Sequence, residues 1–165
     1  MNLSKQNENL GDDFVKVRTR RKQDVCFANV DLEIESKDDL QSLIDEFGEN
    51  VHVLYHDRLA NGNDFVSLET VYLVKTENHG EVENTISAFC DLIENLSLEL
   101  RSLWNKCIEK KFDIGFESGN TENTFNTEIS AKTLKRLTRI GGSISITIYP
   151  VLNYTIKQKE GLHKG

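Results

Sequence analysis

Three carboxylates occupy every second position in one short stretch near the start of the chain. They are Asp31, Glu33 and Glu35, and apolar residues stand between them. Residues two apart in a β-strand share a face, so these carboxylates are predicted to stack on one side of a strand. They could act as a general acid and base, attract a basic protein partner, or form a solvated surface that discourages edge pairing. The sequence leaves these three readings open.

Two histidines, His52 and His56, lie four residues apart and precede Asp57. In a regular strand this even spacing would put both rings on one face beside the carboxylate, where they could bind a metal ion. Two imidazoles without a third ligand nearby make a poor site. We therefore expect a polar hairpin surface at this position, with no metal and no cofactor.

The three cysteines are Cys26, Cys90 and Cys107. Their odd number and the absence of a Cys-x-x-Cys spacing argue against a disulfide framework and against a zinc ribbon. Cys90 falls on an apolar helical stripe, and Cys107 follows Trp104 by three residues. Both are predicted to be core residues, and the thiols are expected to be reduced and mostly buried.

Sequence motifs for catalysis are missing. The glycine-rich phosphate loops, the Gly-x-Ser-x-Gly turn and the His-Glu-x-x-His zinc motif do not occur, so no catalytic residue is predicted. A cryptic hydrolase or transferase would have to use Asp31, Glu33 or His56, brought together in a concave pocket.

Charge is distributed unevenly along the chain. Lys and Arg number 20 against 27 Asp and Glu, for a net charge of -7. Residues 1–15 carry -2 and residues 16–22 (KVRTRRK) carry +5, so residues 23–165 carry -10. Such a body repels nucleic acid and anionic membranes and speeds association with cationic partners. The basic segment 16–22 could contact phosphate or serve as a solubilising linker.

A second group of basic residues lies near the end of the chain, and its spacing is i, i+3, i+4, i+7. Its members are Lys132, Lys135, Arg136 and Arg139. On a helix over 131–140 they would form one stripe, which could contact nucleic acid. Cations near a helix C-terminus also stabilise the helix dipole, and we favour that explanation.

The chain has 165 residues and 18.8 kDa, which fits a single domain. Residues 1–13 and 155–165 lack periodicity and are predicted to be disordered tails around one domain at 14–154. No apolar run approaches the roughly 20 residues that cross a bilayer, and the first residues lack a secretory signal. We expect a cytoplasmic protein with no membrane partner.

Apolar periodicity predicts eight elements, with an Asn-Gly-Asn turn at 61–63 joining two strands of a hairpin. The order is strand 25–34, helix 36–48, strand 51–55, strand 65–74, helix 82–108, strand 112–116, helix 130–140 and strand 144–148. Ser36 and Ser130 are the predicted N-caps. Whether Ser97 divides the long helical stretch remains open.

This order is typical of an α+β fold. The first six elements follow the βαββαβ order of a ferredoxin-like unit, in which an antiparallel sheet buries one face under helices. The last helix and strand are predicted to extend the sheet, whose other face is left to water or to a partner.

The C-terminal half resembles a bacterial family catalogued as domain of unknown function 4279, over about residues 65–150. The segments that carry the resemblance are 128–130 (EIS), 134–137 (LKRL), 140–143 (IGGS) and 144–149 (ISITIY), behind a long helical stretch. The resemblance implies a small bacterial cytosolic α+β protein. Proteins of this kind often accompany polymorphic toxins, where an acidic immunity protein masks a cationic toxin.

The leading functional hypothesis is a non-enzymatic immunity protein that neutralises a cognate toxin with an acidic surface. The predicted partner-binding residues are Asp31, Glu33, Glu35, Asp57 and Asp64. The alternative is a regulatory module that contacts nucleic acid through segment 16–22 and the helix 131–140.

Overall fold

The computed structural model describes residues 23–71 and 82–150. The strands are β1 (Cys26–Ser36), β2 (Val51–Arg58), β3 (Asp64–Thr70), β4 (Glu109–Glu117) and β5 (Ser143–Tyr149). The helices are α1 (Gln41–Phe47), α2 (Val82–Glu94), α3 (Leu98–Lys106) and α4 (Ala131–Arg139), with a 3-10 turn at Gly48–Asn50. The predicted α+β fold is confirmed. The predicted tails at 1–13 and 155–165 and the basic segment 16–22 lie outside the described residues.

The five strands form one sheet in the order β2-β3-β1-β4-β5. The first four strands have the order of a ferredoxin-like unit, and every neighbouring pair among them is antiparallel. The last strand departs from the predicted antiparallel sheet, because β5 runs parallel to β4. The reason is the connection: α4 returns the chain to the end of the sheet where β4 began, which is the usual way to join two parallel neighbours.

One face of the sheet carries the hydrophobic core. Alternate residues of β1, β3 and β4 point to this face, and they pack with apolar residues of the four helices in a single cluster. The Trp104 ring is fully buried there, and its indole Nε1–H donates a 2.7 Å hydrogen bond to the Ile140 carbonyl. The opposite face, which we call the open face, carries the half-buried polar residues of the same strands. No helix in the described part of the chain is long and apolar enough to span a membrane.

A β-bulge changes the orientation of the first residues of β1. The register with β4 shifts between Phe27 and Asn29. Phe27 therefore packs against Phe116 on the core face, with ring centroids 6.0 Å apart, while Cys26 and Ala28 are exposed. The predicted alternation put Cys26 and Ala28 in the core and was wrong before Asn29, because one extra residue reverses every side chain on its far side.

Helix α1 begins later than predicted, and Ser36 is not its N-cap. Ser36 is the buried last residue of β1, and its hydroxyl accepts a 3.0 Å hydrogen bond from the Asp38 N–H. The cap position is Leu40, whose own side chain cannot accept a hydrogen bond. Its N–H instead donates to Asp64 Oδ2 at 2.8 Å, so β3 supplies the acceptor at the helix entrance.

The helical stretch 82–108 is divided at Ser97. Its hydroxyl accepts a 3.3 Å hydrogen bond from the Leu100 N–H, which makes Ser97 the N-cap of α3. Residues on both sides of the break enter the core, including Phe89 and Ile93 of α2 and Trp104 of α3. Both helices therefore contribute to the same core on either side of the break.

Helix α4 is attached to α2 at both ends. Ser130 caps α4 as predicted and accepts a 3.2 Å hydrogen bond from the Thr133 N–H. Glu83 in the first turn of α2 accepts hydrogen bonds from the Ser130 N–H and hydroxyl and from the Thr133 hydroxyl, at 2.6–2.9 Å. At the other end Arg136 pairs with Asp91 and Glu94. Gly141, with φ 75°, ends the helix and turns the chain into β5.

Candidate functional site

Three carboxylates form a row across the middle of the open face. Asp31 of β1 lies directly opposite Glu69 of β3 on one side and Asp113 of β4 on the other. Residues directly opposite one another on neighbouring strands point the same way and have Cβ atoms about 5 Å apart. We call Asp31, Glu69 and Asp113 the acidic row. Like charges directly opposite one another on adjacent strands are destabilising, so the acidic row is a point of repulsion on the open face.

The electrostatic strain is concentrated on Asp31. Burial, followed by the charges of Glu69, Asp113 and Glu33, raises the pKa of this carboxyl from an ordinary value of 3.8 to about 6. Asn29 donates a 2.8 Å hydrogen bond to Asp31 Oδ1. A carboxyl that is half protonated near pH 6 will respond strongly to a positive charge placed beside it.

A hydroxyl from β5 satisfies the outer member of the row. Thr147 Oγ1 lies 2.9 Å from both carboxylate oxygens of Asp113 and can donate to one of them at a time. Tyr149 lies further along the same strand, and burial followed by the charges of Asp31, Asp113 and Glu33 raises the pKa of its phenol. The charges of the acidic row therefore also affect the pKa of a residue on the edge strand.

Gly115 makes room for this arrangement. This glycine of β4 lies opposite Asn29 of β1. A Cβ added to it would overlap Asn29 Oδ1 and meet Tyr149 Cε2 at 3.1 Å. The absence of a side chain lets the Asn29 amide and the Tyr149 ring lie over the strand. Asn29 can then reach Asp31, so the glycine helps to place a hydrogen-bond donor in the site.

Neighbouring acids on the open face already have partners. Glu33 forms a 2.5 Å ion pair with Lys111, which raises the pKa of that lysine. Glu35 accepts hydrogen bonds from the Asn63 and Asn61 amides, and these lower the pKa of its carboxyl. Both acids share the face that was predicted for them, but the acidic row is the less compensated part of this surface.

The two remaining predicted partner-binding residues have different positions. Asp57 is exposed and lies opposite Phe65, on the same face as Glu35. Asp64 is 3% exposed on the core face and does not belong to the predicted surface. Burial raises the pKa of Asp64, but hydrogen bonds from His56 and the Leu40 N–H outweigh it and leave the pKa below its ordinary value. Its role is to hold the entrance of α1.

The two histidines do not share a site. A second β-bulge shifts the register of β2 between Val53 and Tyr55. His52 consequently lies opposite Glu69 on the open face, whereas His56 lies opposite Val66 on the core face and makes a 3.0 Å contact with Asp64. The same bulge separates His56 from Asp31 and Glu33, so the suggested catalytic trio does not converge. Across residues 23–71 and 82–150, no group of three or more His, Cys, Asp or Glu side chains could hold a metal ion.

The cysteines divide between core and surface. Cys90 and Cys107 are buried as predicted, and burial raises the pKa of the Cys90 thiol to about 11. Cys26 is exposed, contrary to the expectation of mostly buried thiols, because it precedes the bulge in β1. Burial and the nearby Glu117 carboxylate raise the pKa of Cys26 as well, which disfavours the reactive thiolate.

The basic stripe predicted on 131–140 is interrupted. Arg136 is largely buried against α2, where its guanidinium contacts Asp91 at 2.5 Å and Glu94 at 2.7 Å. Lys132, Lys135 and Arg139 are exposed on α4. The central member of the stripe therefore joins two helices and is not available to phosphate.

Sequence reasoning missed two of the three members of the acidic row. Glu69 and Asp113 each occupy a polar position in an alternating strand, which indicates the face but not the neighbour. The register that brings them beside Asp31 depends on pairing between distant parts of the chain. Compared with protein-family models, with curated proteins and with solved structures, the chain matches none. The family resemblance of the C-terminal half therefore stays a prediction.

Proposed function

We propose that this protein binds a cationic protein through its open face without catalysing a reaction, and that it acts as an immunity protein by masking a toxin domain. The observation that carries the proposal is the acidic row, in which Asp31 lies between Glu69 and Asp113 on adjacent strands. Like charges in this arrangement lower the stability of the free protein. A Lys or Arg from a partner would relieve the repulsion, and this relief would contribute to the free energy of binding.

The surroundings of the acidic row suit a protein partner. The sheet offers a broad surface of half-buried polar side chains, and the chain from residue 23 onward carries a net charge of -10. Complementary charge accelerates encounter and fixes orientation more than it raises affinity. The assignment to a toxin, and to a bacterial source, rests on the family resemblance alone.

The decisive experiment is a titration with the product of the gene adjacent to this one, followed by calorimetry at low salt. We expect a complex that weakens as salt is added. Neutralising the row with Asp31→Asn, Glu69→Gln and Asp113→Asn should weaken binding at least about 10-fold. A control variant with Glu46→Gln, Glu49→Gln and Glu99→Gln removes the same charge from exposed positions on other elements, and it should bind like the natural protein.

Proton release provides a second readout on the same complex. Because the pKa of Asp31 is about 6, a cationic partner that lowers this pKa should release about half a proton per complex at pH 6 and almost none at pH 8. Calorimetry in two buffers of different ionisation enthalpy measures this number. The Asp31→Asn variant should release no proton from this site.

Two results would reject the proposal. One is the absence of binding to the adjacent gene product at low salt. The other is salt-sensitive retention on nucleic acid that is lost when Arg20 and Arg21 are neutralised, because counterion release at segment 16–22 would then be the working interaction. If the row variant and the control variant weakened binding equally, total charge and not the acidic row would explain the interaction.

A further inference from the structure

The outer edge of β5 lacks the features that usually protect an edge strand. The sheet order places β5 at one end, and among the described residues no other strand pairs with its free side. The sequence of β5 is SISITIY, which contains no charge and no proline. Its register with β4 runs without a bulge from Ser143 to Tyr149. A regular, uncharged edge is a template for another strand.

The opposite edge shows what protection looks like in this fold. Strand β2 contains His52, His56, Asp57 and Arg58, and its register is broken by the bulge after Val53. Charged side chains and a bulge both discourage further pairing. The two edges of one sheet therefore differ in the property that decides whether a strand can be added.

The side chains of β5 also leave apolar surface uncovered. Ile144, Ile146 and Ile148 lie opposite Phe112, Ile114 and Phe116, so they continue the core face beyond the last covered strand. Their exposed fractions are 37%, 63% and 65%. Three β-branched residues in a row at an edge would gain burial if a neighbouring strand brought matching side chains.

The geometry points to a second copy of this chain as the occupant of this edge. Two β5 strands can pair antiparallel about a twofold axis at Ile146. Ile144 of each copy then meets Ile148 of the other, and the two Ile146 residues meet at the axis. On the open face, the two serines of each strand meet the threonine and the tyrosine of the other. The strand is thus complementary to itself on both faces, as an isologous interface requires.

The acidic row opposes this pairing only weakly at physiological salt. The nearest carboxylate of the acidic row is Asp113 on β4, one strand in from the edge. In the paired sheet the two Asp113 residues would be three strand spacings apart, about 14 Å. This exceeds the Debye length of about 8 Å at physiological salt. The neutral β5 strands therefore separate the two acidic surfaces.

The test is the mass of the full chain in solution, measured by sedimentation over a range of protein concentrations at physiological salt. We expect a dimer. Ile146→Lys should weaken the dimer about 100-fold, with a tenfold loss for each of the two introduced charges. The matched control is Val53→Lys, because Val53 is an exposed β-branched residue on the core face of the other edge strand. This control should leave the dimer intact.

Hydrogen exchange distinguishes loss of the dimer from a folding defect of the variant. Amides of residues 143–149 should exchange more slowly in the natural protein than in Ile146→Lys, while amides of β1 should be unchanged. A monomer at every concentration would overturn the proposal, as would equal dissociation by Val53→Lys. A monomer that dimerises only when residues 1–22 are removed would also overturn it, because segment 15–20 alternates Val and Thr with Lys and Arg and would then be the competing occupant.

Discussion

At the residue scale, the chemistry of the site is set by one carboxyl. Asp31 combines partial burial with acidic neighbours on both sides, and its pKa rises to about 6. Two and four residues further along the same strand, Glu33 forms an ion pair with Lys111 and Glu35 accepts a hydrogen bond from Asn63. Residues of one type on one strand face therefore have different roles, which depend on what the adjacent strands place beside them.

Replacing Asp31 by Asn should stabilise the protein at pH 8 and have little effect at pH 4. The folded pKa of about 6 exceeds the ordinary 3.8, so the folded state binds the proton more tightly and loses stability as pH rises between these values. The gain at pH 8 should be about 1–2 kcal/mol, because each pKa unit corresponds to about 1.4 kcal/mol and solvent screens part of it. Urea unfolding at both pH values measures this, and an equal gain at pH 4 would contradict it.

Replacing Gly115 by Ala should destabilise the protein by about 1–3 kcal/mol, because the added methyl group overlaps Asn29 and crowds Tyr149. Adding Asn29→Ala should relieve the overlap. The double variant should then be less destabilised than the sum of the single variants, as expected for residues in contact. Additive effects in denaturant unfolding would mean that the glycine serves another purpose.

At the element scale, alternation predicted the strands and helices well, but one of the two predicted N-caps, Ser36, was wrong, and the pattern did not show where the faces switch. The apolar residues of 30–34 and 112–116 identified core strands. The bulges in β1 and β2 left no mark in the pattern, so Cys26 was placed on the wrong face and the two histidines were assigned a common one. Asp64 looked like a surface acid because its partner, the Leu40 N–H, comes from an element 24 residues away. These features depend on long-range pairing.

Glu83→Ala should cost more than Glu99→Ala, although both acids occupy the second position of a helix. The helix dipole term is the same for both, but Glu83 also accepts hydrogen bonds from Ser130 and Thr133 of α4. Loss of these bonds should lower the free energy of unfolding by about 2 kcal/mol. The Glu99 variant should stay within about 0.5 kcal/mol of the natural protein. Thermal unfolding compares the two, and similar losses would show that Glu83 does not hold α4.

At the scale of the whole molecule, the two faces of the sheet contribute differently to stability. The core face holds the apolar cluster and provides stability, while the open face gathers carboxylates across three strands at some expense in stability. Sites that bind a charged partner commonly lower the stability of the free protein. A variant that is more stable because its acidic row is neutralised should therefore bind the partner more weakly than the natural protein.

The response to salt should show how much of this loss of stability the acidic row causes. Between about 0.01 M and 0.15 M salt the Debye length falls from about 30 Å to 8 Å, so repulsion on the open face weakens and the free energy of unfolding of the natural protein should rise by about 1 kcal/mol. The variant that neutralises Asp31, Glu69 and Asp113 should start from a higher stability and gain less than half as much. The control with Glu46, Glu49 and Glu99 neutralised has the same net charge and should keep most of the natural salt response. If it lost that response equally, total charge would explain the effect, since net charge alone would then determine repulsion in both variants.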